Sequence, residues 1–475
     1  MTISTGVPFR TGGSRIYQYI AAVAVNLSII CSEMHYGWSS PFGPVLANGK
    51  YKFTITNNES SWLTVIPLTG AIFGAFVTGL VVDIFGRKRM IIFSFLPFVA
   101  SWLLIGFAES STLMFVGRFL AGTTDGLSFT AVPMYLGEIA DPQIRGLLVS
   151  TCPVCIVFGI LLINILGACL PLDTTAFIST ILPLLLLIIF PWMPESPYFY
   201  LMKGNEEEAR ESLRIFRGVE DVTVELNRIS SAVKEQQEKK GSFLDLFRVE
   251  SNRKGMFITL GLRSFQQLTG SMVIIFYCKT IFEEARGFSP SLSTIIYFSV
   301  QLVLSIASSF VVDFFGRKPL LIVSIIGSAL SLLAIAIYLY LQEIGIDTTE
   351  YNFAPLVALI CFVVTFSIGL HTIPLLIMGE IFPTDVKALA LCVMDIYFSV
   401  LVICISMFFH WSKCIGMYVP FLTFTGCCIL GLLFILFYVP ETKRKTLEDI
   451  QAELQGEGIV GHKIVVNEAD LYELN

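Results

Sequence analysis

The stretch Asp83-Ile-Phe-Gly-Arg-Lys-Arg89 occurs twice in this sequence, returning as Asp313-Phe-Phe-Gly-Arg-Lys-Pro319. Two other short segments also return, in the same order: Gly137-Glu-Ile139 as Gly379-Glu-Ile381, and Pro194-Glu-Ser-Pro197 as Pro440-Glu-Thr-Lys443. The offsets are 230, 242 and 246 residues, which are nearly constant. A fixed internal offset indicates duplicated structure, so the chain is predicted to consist of two related halves.

The composition is that of a membrane protein. Of 475 residues, 55% are hydrophobic and only 14% are charged, whereas about a quarter of the residues in a soluble domain are charged. The net charge of −6 gives no general attraction to nucleic acid. Most of the 11 cysteines lie inside apolar runs without metal-ligand spacing, and no nucleophile and base are paired. We therefore expect neither an enzyme nor a metal or cofactor site.

Twelve apolar runs approach the roughly 20 residues that a helix needs to cross a bilayer. They are 16–37, 61–82, 90–108, 112–134, 147–169, 176–193, 256–278, 292–312, 319–341, 354–377, 388–410 and 417–439. The prediction is an all-α membrane protein with twelve transmembrane helices in two parallel six-helix repeats and a small cytoplasmic helical bundle. The predicted divisions are an N-terminal half (1–193), a helical linker (194–254), a C-terminal half (255–439) and a tail (440–475). Such duplication is typical of secondary transporters.

The polar segment 194–254 carries helix signals of its own. Asn205 precedes three glutamates and can cap a helix, since carboxylates stabilise the positive end of a helix dipole. A second helix is predicted at about 222–239, with Leu226, Ile229 and Val233 on one face. This pattern favours a packed bundle over a solvated linker.

Lysine and arginine predict the orientation of the chain. The predicted face that carries both termini and the segment 194–254 holds 24 of the 31 basic residues. Because basic residues accumulate on the cytoplasmic side of membrane proteins, both termini are predicted to be cytoplasmic. On the other side, Asn58-Glu-Ser60 is the one glycosylation sequon in a predicted extracellular loop, and Asn58 is the predicted acceptor.

The repeated motifs place paired charges at the predicted cytoplasmic ends of helices. Opening that face would separate partly desolvated pairs, so these residues are candidates for gating between two conformations, although each alone could simply be a positive-inside anchor. The candidates are Asp83, Arg87, Glu138 and Arg145 in the first half, and Asp313, Arg317, Glu380 and Lys387 in the second.

Together with Gly117-Arg118-Phe119, Gln266-Gln267-Leu-Thr-Gly270 and Gly379-Glu-Ile-Phe-Pro383, these motifs resemble the signature set of the sugar porter family of the major facilitator superfamily. Gly37-Trp-Ser-Ser-Pro41 and Gly379–Lys387 resemble the insect facilitated trehalose transporters within it. The resemblance covers nearly the whole chain. It implies the major facilitator fold in a lipid bilayer, a cytoplasmic helical bundle and a small-molecule sugar substrate.

The resemblance also assigns candidate sugar contacts. Gln266 and Gln267 match the two glutamines of the family's seventh span, and Gln301 matches an amide of the eighth. As bare residues, two glutamines in a span could equally join helices. Other family contacts are replaced, which leaves the substrate open. The replacements are Pro153 and Met272 for amides, Leu375 for a tryptophan, and Phe398-Ser399 for an asparagine and a tryptophan.

Several ionisable residues fall inside predicted spans, where a charge costs at least about 2.5 kcal/mol. Arg118 lies two helical turns from Asp125 and is the expected partner of that carboxylate. Glu33 and His35 are expected near the outer end of the first span. Asp395 is expected either to be functional or to be a neutral, hydrogen-bonded acid; His371 also falls within a span.

Three functions remain open at this point. The family's proton carrier is an acid directly after an aromatic-Gly-aromatic motif, and here Tyr36-Gly-Trp38 is followed by Ser39, which favours downhill transport across the plasma membrane. A proton-coupled symporter could use Asp395 or Glu33 instead. A non-transporting sensor or orphan carrier would explain the replaced sugar contacts.

Overall fold

The computed structural model describes residues 15–49, 51–238, 244–285, 288–311, 316–382 and 384–442. Over these ranges the chain is helical, with short connections and no strand. The predicted tail beyond Thr442, including most of 440–475, lies outside the described residues.

The N-terminal half begins with two nearly continuous helices and ends in a single 3-10 turn at Phe190–Trp192. Its helices are α1 (Ile16–Gly37), α2 (Ser39–Ala47), α3 (Asn57–Phe85), α4 (Arg87–Gly106), α5 (Ser111–Ile139), α6 (Arg145–Cys169), α7 (Leu172–Ser179) and α8 (Ile181–Ile189).

Four short helices connect the halves: α9 (Pro197–Met202), α10 (Glu206–Arg217), α11 (Thr223–Glu238) and α12 (Asp245–Arg248). The C-terminal half contains α13 (Glu250–Leu268), α14 (Ser271–Glu284), α15 (Pro290–Val311), α16 (Arg317–Glu343), α17 (Ala354–Ile368), α18 (Ile373–Ile381), α19 (Thr384–Ser412) and α20 (Tyr418–Tyr438).

The twelve predicted spans all correspond to helices or to adjacent helix pairs. In the described residues, ten of these units are long and apolar enough to cross a membrane. The other two are α5, whose polar residues include Arg118 and Asp125, and the pair α13 and α14, which is interrupted at Thr269 and Gly270. The all-α membrane fold is therefore confirmed, and two of its helical units are more polar or more broken than the rest.

The first span is longer than predicted. Trp38 keeps a helical backbone with φ −58° and ψ −33°, so α1 continues almost directly into α2 and the apolar unit extends from Ile16 to Ala47. Residues 33 and 35 consequently lie near its middle. The expectation that Glu33 and His35 lie at the outer end was wrong, because the backbone remains helical past Gly37.

Helices α3 and α5 approach each other through glycines. A Cβ built on Gly122 would lie 1.8 Å from the carbonyl oxygen of Pro67, and one on Gly126 would lie 2.3 Å from that of Ala71. On the facing helix, Gly70 and Gly74 are equally close to the backbone of α5. Both helices thus carry glycine at four-residue spacing, which lets two backbones pack directly in a membrane.

The helical bundle formed by α9, α10 and α11 packs on the N-terminal half. Leu226, Ile229 and Val233 are buried on one face of α11, which confirms the predicted face. Arg217 reaches across to α5, donating to the Ile139 carbonyl at 2.7 Å. Asn205 does precede α10, but its side chain makes no capping hydrogen bond, so the cap expected there is absent.

The two halves contact each other through α6 with α15 and through α3 with α19. Val65, Leu68, Ile160 and Leu161 join the apolar core of the C-terminal half. On the face opposite the helical bundle, Lys279 of α14 donates to the Pro41 carbonyl at 3.4 Å. The described contacts between the halves therefore include that opposite face.

Candidate functional site

The repeated proline-glutamate motif has the same structural role in both halves. The Glu195 carboxylate accepts the backbone N–H of Lys88 at 3.0 Å, at the start of α4. The Glu441 carboxylate accepts the N–H groups of Arg317 at 3.0 Å and Lys318 at 3.1 Å, at the start of α16. Each carboxylate thus satisfies helix N–H groups that have no partner within the helix and lies at the positive end of its dipole.

The motif glycine makes room for this carboxylate. Gly86 has a φ of 96°, and a Cβ there would lie 2.4 Å from Oε2 of Glu195. At Gly316 a Cβ would lie 2.6 Å from Oε2 of Glu441. Burial raises the pKa of Glu195, and the backbone N–H groups of Lys88 and Ser196 oppose this rise.

Arg87 is the centre of a charge network within the N-terminal half. Its guanidinium pairs with Asp83 at 3.1 Å and with Glu138 at 3.0 Å. Glu138 also accepts a hydrogen bond from the Ser196 hydroxyl, and the Arg87 side chain is only 4% exposed. All of these partners belong to one half or to the start of the linker, so the described contacts join neighbouring helices and do not cross between halves.

The remaining gating candidates are placed less completely. Arg145 begins α6, and within the described ranges its side chain forms no ion pair with Glu138. Asp313 lies outside the described residues, as do the side chains of Glu380 and Lys387. Their predicted roles stay predictions.

Gln266 makes three hydrogen bonds within the protein, which use both of its N–H groups. Its Oε1 accepts a hydrogen bond from Arg263 at 2.7 Å. Its amide nitrogen donates to the carbonyl oxygens of Leu370 at 2.6 Å and His371 at 3.2 Å. These carbonyls lie in the break between α17 and α18, where helical hydrogen bonds are missing. Gln266 therefore joins α13 to a broken helix, as the alternative reading of the two glutamines anticipated.

Gln267 and Gln301 make fewer hydrogen bonds than Gln266 in the described part of the chain. Gln267 is 3% exposed, and its Oε1 accepts a long hydrogen bond of 3.5 Å from the Ser271 hydroxyl. Gln301 on α15 is 6% exposed, and its Oε1 has no hydrogen-bond partner in the described part of the chain. Of the replaced family contacts, Met272 and Pro153 are half-buried, Ser399 is buried and Leu375 is exposed.

Arg118 and Asp125 do not pair, which corrects the prediction. The Arg118 guanidinium donates to the carbonyl oxygen of His35 and to the Ser39 hydroxyl at 3.0 Å, and it lies 4.7 Å from the Trp38 ring centre. Asp125 accepts hydrogen bonds from the hydroxyls of Ser32 and of Tyr36, the latter at 2.7 Å. Two helical turns separate the two residues on α5, and each finds nearer partners on the helices alongside.

His35 is packed as a structural residue. Its ring stacks on Trp102 at 3.8 Å between centres, and its Nε2 lies 3.3 Å from the Ser101 hydroxyl. Glu33, one turn from Tyr36 and near Asp125, is 7% exposed. Both side chains are inside the N-terminal half and not at an interface with solvent.

A charged pair lies near the middle of the C-terminal half. Arg263 on α13 and Asp395 on α19 interact electrostatically, and Asp395 also interacts with Asp125 of the other half. Asp395 is exposed to solvent. Because its charge partners lie inside the protein and across the interface, this exposure indicates a solvent-accessible space between the halves. Within the described ranges, no three His, Cys, Asp or Glu residues could hold a metal ion together.

Comparison with known proteins decides the family. The family model described as "Sugar (and other) transporter" matches residues 20–454, which is most of the chain. The chain belongs to this family. It is a family of the major facilitator superfamily, as the motif resemblance implied.

Relatives of this chain include two mosquito proteins, both named facilitated trehalose transporter Tret1. The chain is 35% identical to that of Anopheles gambiae, over 92% of its own length and 56% of that protein. It is 34% identical to that of Culex quinquefasciatus, over 92% of its own length and 86% of that protein. The chain thus spans only about half the length of several of its curated relatives.

Solved structures confirm the fold. XylE, described as a proton:xylose symporter of the major facilitator superfamily, has a TM-score of 0.74 and 23% identity, covering 92% of this chain and 99% of that chain. Its inward open conformation from E. coli has a TM-score of 0.77 and 22% identity, with the same coverage. At this identity the likeness establishes the fold of the chain alone.

Arg263 is the buried charge beside Gln266 that sequence reasoning missed. Its signal was present, because an arginine inside an apolar run is costly and marks either a partner or a function. It lies three residues before Gln266, and so on the same face of the helix. The family motif begins at Gln266 and does not include Arg263.

Proposed function

We propose that this protein is a facilitative transporter of trehalose or of a hexose in the plasma membrane, working by alternating access. The family match over residues 20–454 is the observation that carries the proposal. The two Tret1 relatives, each named as a facilitated trehalose transporter, support trehalose as the first substrate to test. Two halves around a solvent-accessible space suit a site near mid-membrane that opens to each side in turn.

Downhill transport is supported by the surroundings of Arg118. Its described partners are the carbonyl oxygens of His35 and Leu63, the Ser39 hydroxyl and the face of Trp38. None of them is a carboxylate, so no proton can be exchanged at this arginine by a neighbouring acid. A proton symporter would have to use Asp395 or Glu33, neither of which is among the described partners of Arg118.

The ion networks at the bundle face are proposed to set the conformational equilibrium. Arg87 stiffens the N-terminal half by joining Asp83 and Glu138, and Arg317 begins the equivalent helix of the C-terminal half. Rigid halves are what a rocking motion requires. We propose that Arg145, Asp313, Glu380 and Lys387 complete these networks when the bundle face closes.

The proposal is tested by uptake of labelled trehalose and glucose into vesicles that contain the purified protein. Uptake driven by the sugar gradient alone, unchanged by an imposed proton gradient, is the expected result. Accumulation that requires an inward proton gradient would replace uniport with symport. Absence of uptake and of binding for both sugars would favour the sensor or orphan reading.

A further inference from the structure

We infer that Arg263 and Asp395 form a hydroxyl-binding pair of the substrate site, in the place that the family pattern gives to Gln266. This inference rests on the proposed function, because it names side chains that would hold the sugar. Both residues lie near the middle of their helices, α13 and α19, which pack against each other in the C-terminal half.

Both N–H groups of Gln266 are already used in this structure. An amide side chain offers two N–H groups and an oxygen with two lone pairs. Its nitrogen donates to the carbonyls of Leu370 and His371, and its oxygen accepts one hydrogen bond, from Arg263. Gln266 could donate to a sugar only by displacing a contact that stabilises a broken helix.

Arg263 is held in place with a donor still unused. Its guanidinium lies 4.8 Å from the ring centre of Phe398 and donates through one terminal nitrogen to Gln266. The residue is 7% exposed, yet its Nε has no acceptor in the described part of the chain. A buried donor without an acceptor costs free energy that a ligand oxygen would recover.

Asp395 supplies the complementary acceptor. Its carboxylate accepts no hydrogen bond from a described side chain, and only its backbone carbonyl is used, by Ser399 at 3.1 Å. The Asp395 side chain is exposed, and it interacts electrostatically with Arg263 without a direct ion pair to it. An unused buried donor and an unused exposed acceptor therefore lie on two helices that pack against each other.

The chemistry of this pair selects a class of ligand. A cation would suit Asp395 but be repelled by Arg263, and an anion would suit Arg263 but be repelled by Asp395. A hydroxyl both donates and accepts, so a neutral polyol satisfies both groups at once through charge-assisted hydrogen bonds. The lone oxygen of Gln301, buried and without a described partner, offers a further acceptor from α15.

Equilibrium binding of labelled trehalose to the purified protein tests this inference through Asp395→Asn and Arg263→Lys. Each should weaken binding at least about tenfold, since Asp395→Asn removes the charge of the acceptor and Arg263→Lys removes the Nε–H donor. Asp125→Asn is the control: it removes a carboxylate charge from the facing half, but this carboxylate is already used by Ser32 and Tyr36. We expect it to change affinity less than about threefold.

A second measurement needs no variant and so does not depend on folding. A carbodiimide should label Asp395 of the native protein, as read by mass spectrometry, and saturating trehalose should protect it. Equal weakening by Asp125→Asn and Asp395→Asn, or labelling unaffected by bound sugar, would overturn the pair as a binding site. Loss of proton dependence alone in Asp395→Asn would overturn it too, in favour of proton transfer.

Glucose and its monodeoxy analogues separate this inference from the proposed function. One missing hydroxyl should weaken binding to the native protein about tenfold but add little in Asp395→Asn, because the same hydrogen bond is already lost. A native protein that binds neither trehalose nor glucose would defeat the proposed function and the pair together. A native protein that transports sugar with both variants intact would defeat the pair alone.

Discussion

At Gly86 a single added carbon would disturb the repeated motif most directly. The left-handed φ of 96° and the Glu195 carboxylate at 2.4 Å both exclude a side chain there. We expect Gly86→Ala to lower the free energy of unfolding by about 1–3 kcal/mol, through strain and a displaced helix cap.

Gly79 of α3 provides the control for this substitution. No atom lies within 4 Å of a Cβ built on it, so Gly79→Ala should leave stability unchanged or raise it by about 0.5–1 kcal/mol. Thermal unfolding in detergent measures both variants. Equal unfolding midpoints for the two variants would show that the Glu195 carboxylate can cap α4 without a glycine at position 86.

The two neighbouring glutamines should respond differently to the same substitution. Gln266→Leu leaves Arg263 and the Leu370 carbonyl without their partner and should lower stability by about 2–4 kcal/mol. Gln267→Leu loses only the 3.5 Å contact with Ser271 and should affect stability by less than about 1 kcal/mol.

Gln267→Leu, which should fold, is expected to lose transport although it keeps its stability. Gln267→Leu should weaken sugar binding by about 1–3 kcal/mol if its amide contacts the substrate. Thermal unfolding and uptake, measured on the same preparations, separate the two effects. A Gln266→Leu protein as stable as the native one would contradict its role as a link between helices.

At the scale of elements, Arg217 is a buried polar link between the helical bundle and the membrane half. Arg217 is 8% exposed, pairs with Glu225 at 2.7 Å and donates to the Ile139 carbonyl of α5. Arg217→Ala would leave Glu225 with its longer 3.7 Å pair to Arg228, at a cost of about 1–3 kcal/mol. We expect trypsin to cleave after Arg228 much sooner in this variant.

Arg214, on the same helix, is the control for the bundle. Its side chain is 46% exposed and its described contacts are at the surface, to Glu211 and to the Glu220 carbonyl. Exposed pairs contribute at most about 1 kcal/mol, so Arg214→Ala should be cleaved at nearly the native rate. If trypsin cleaves both variants at the same rate, the apolar contacts alone hold the helical bundle on the N-terminal half.

The broken helices form the other element-scale feature. α13 and α14 are separated by Thr269 and Gly270, with Gly270 at a φ of 77°, and α17 and α18 are separated around Gly369. Breaks leave carbonyl groups without helical partners, which is tolerated in a membrane only where other groups satisfy them. Gln266 does this for Leu370 and His371, so one break is satisfied by a residue next to the other.

At the scale of the whole molecule, the orientation predicted from basic residues has a direct test. Asn58 is exposed in the first turn of α3, on the face opposite the helical bundle, whereas Asn26 is 5% exposed within α1. If the bundle face is cytoplasmic, Asn58 is extracellular and should carry a glycan in a eukaryotic host.

A change in electrophoretic mobility after glycosidase treatment shows whether a glycan is present. The native protein should shift, Asn58→Gln should not, and the buried sequon at Asn26 should make no contribution. A shift that persists in Asn58→Gln would contradict the assigned face. Absence of any shift in the native protein would remove Asn58 as an acceptor.

The sequence by itself determined the all-helical membrane class, the duplicated halves and the family, because span length, composition and repeated motifs are local properties of the chain. It also determined the buried face of α11, since one helix face follows from residue spacing alone. Partner choice among polar side chains was decided only by tertiary structure. Arg118 was expected to pair with Asp125 along one helix, but hydroxyls and carbonyls from neighbouring helices are closer to each. For the same reason, only the packed structure distinguishes Gln266, whose N–H groups are both used, from Arg263 and Asp395, which keep an unused donor and an unused acceptor in the described part of the chain.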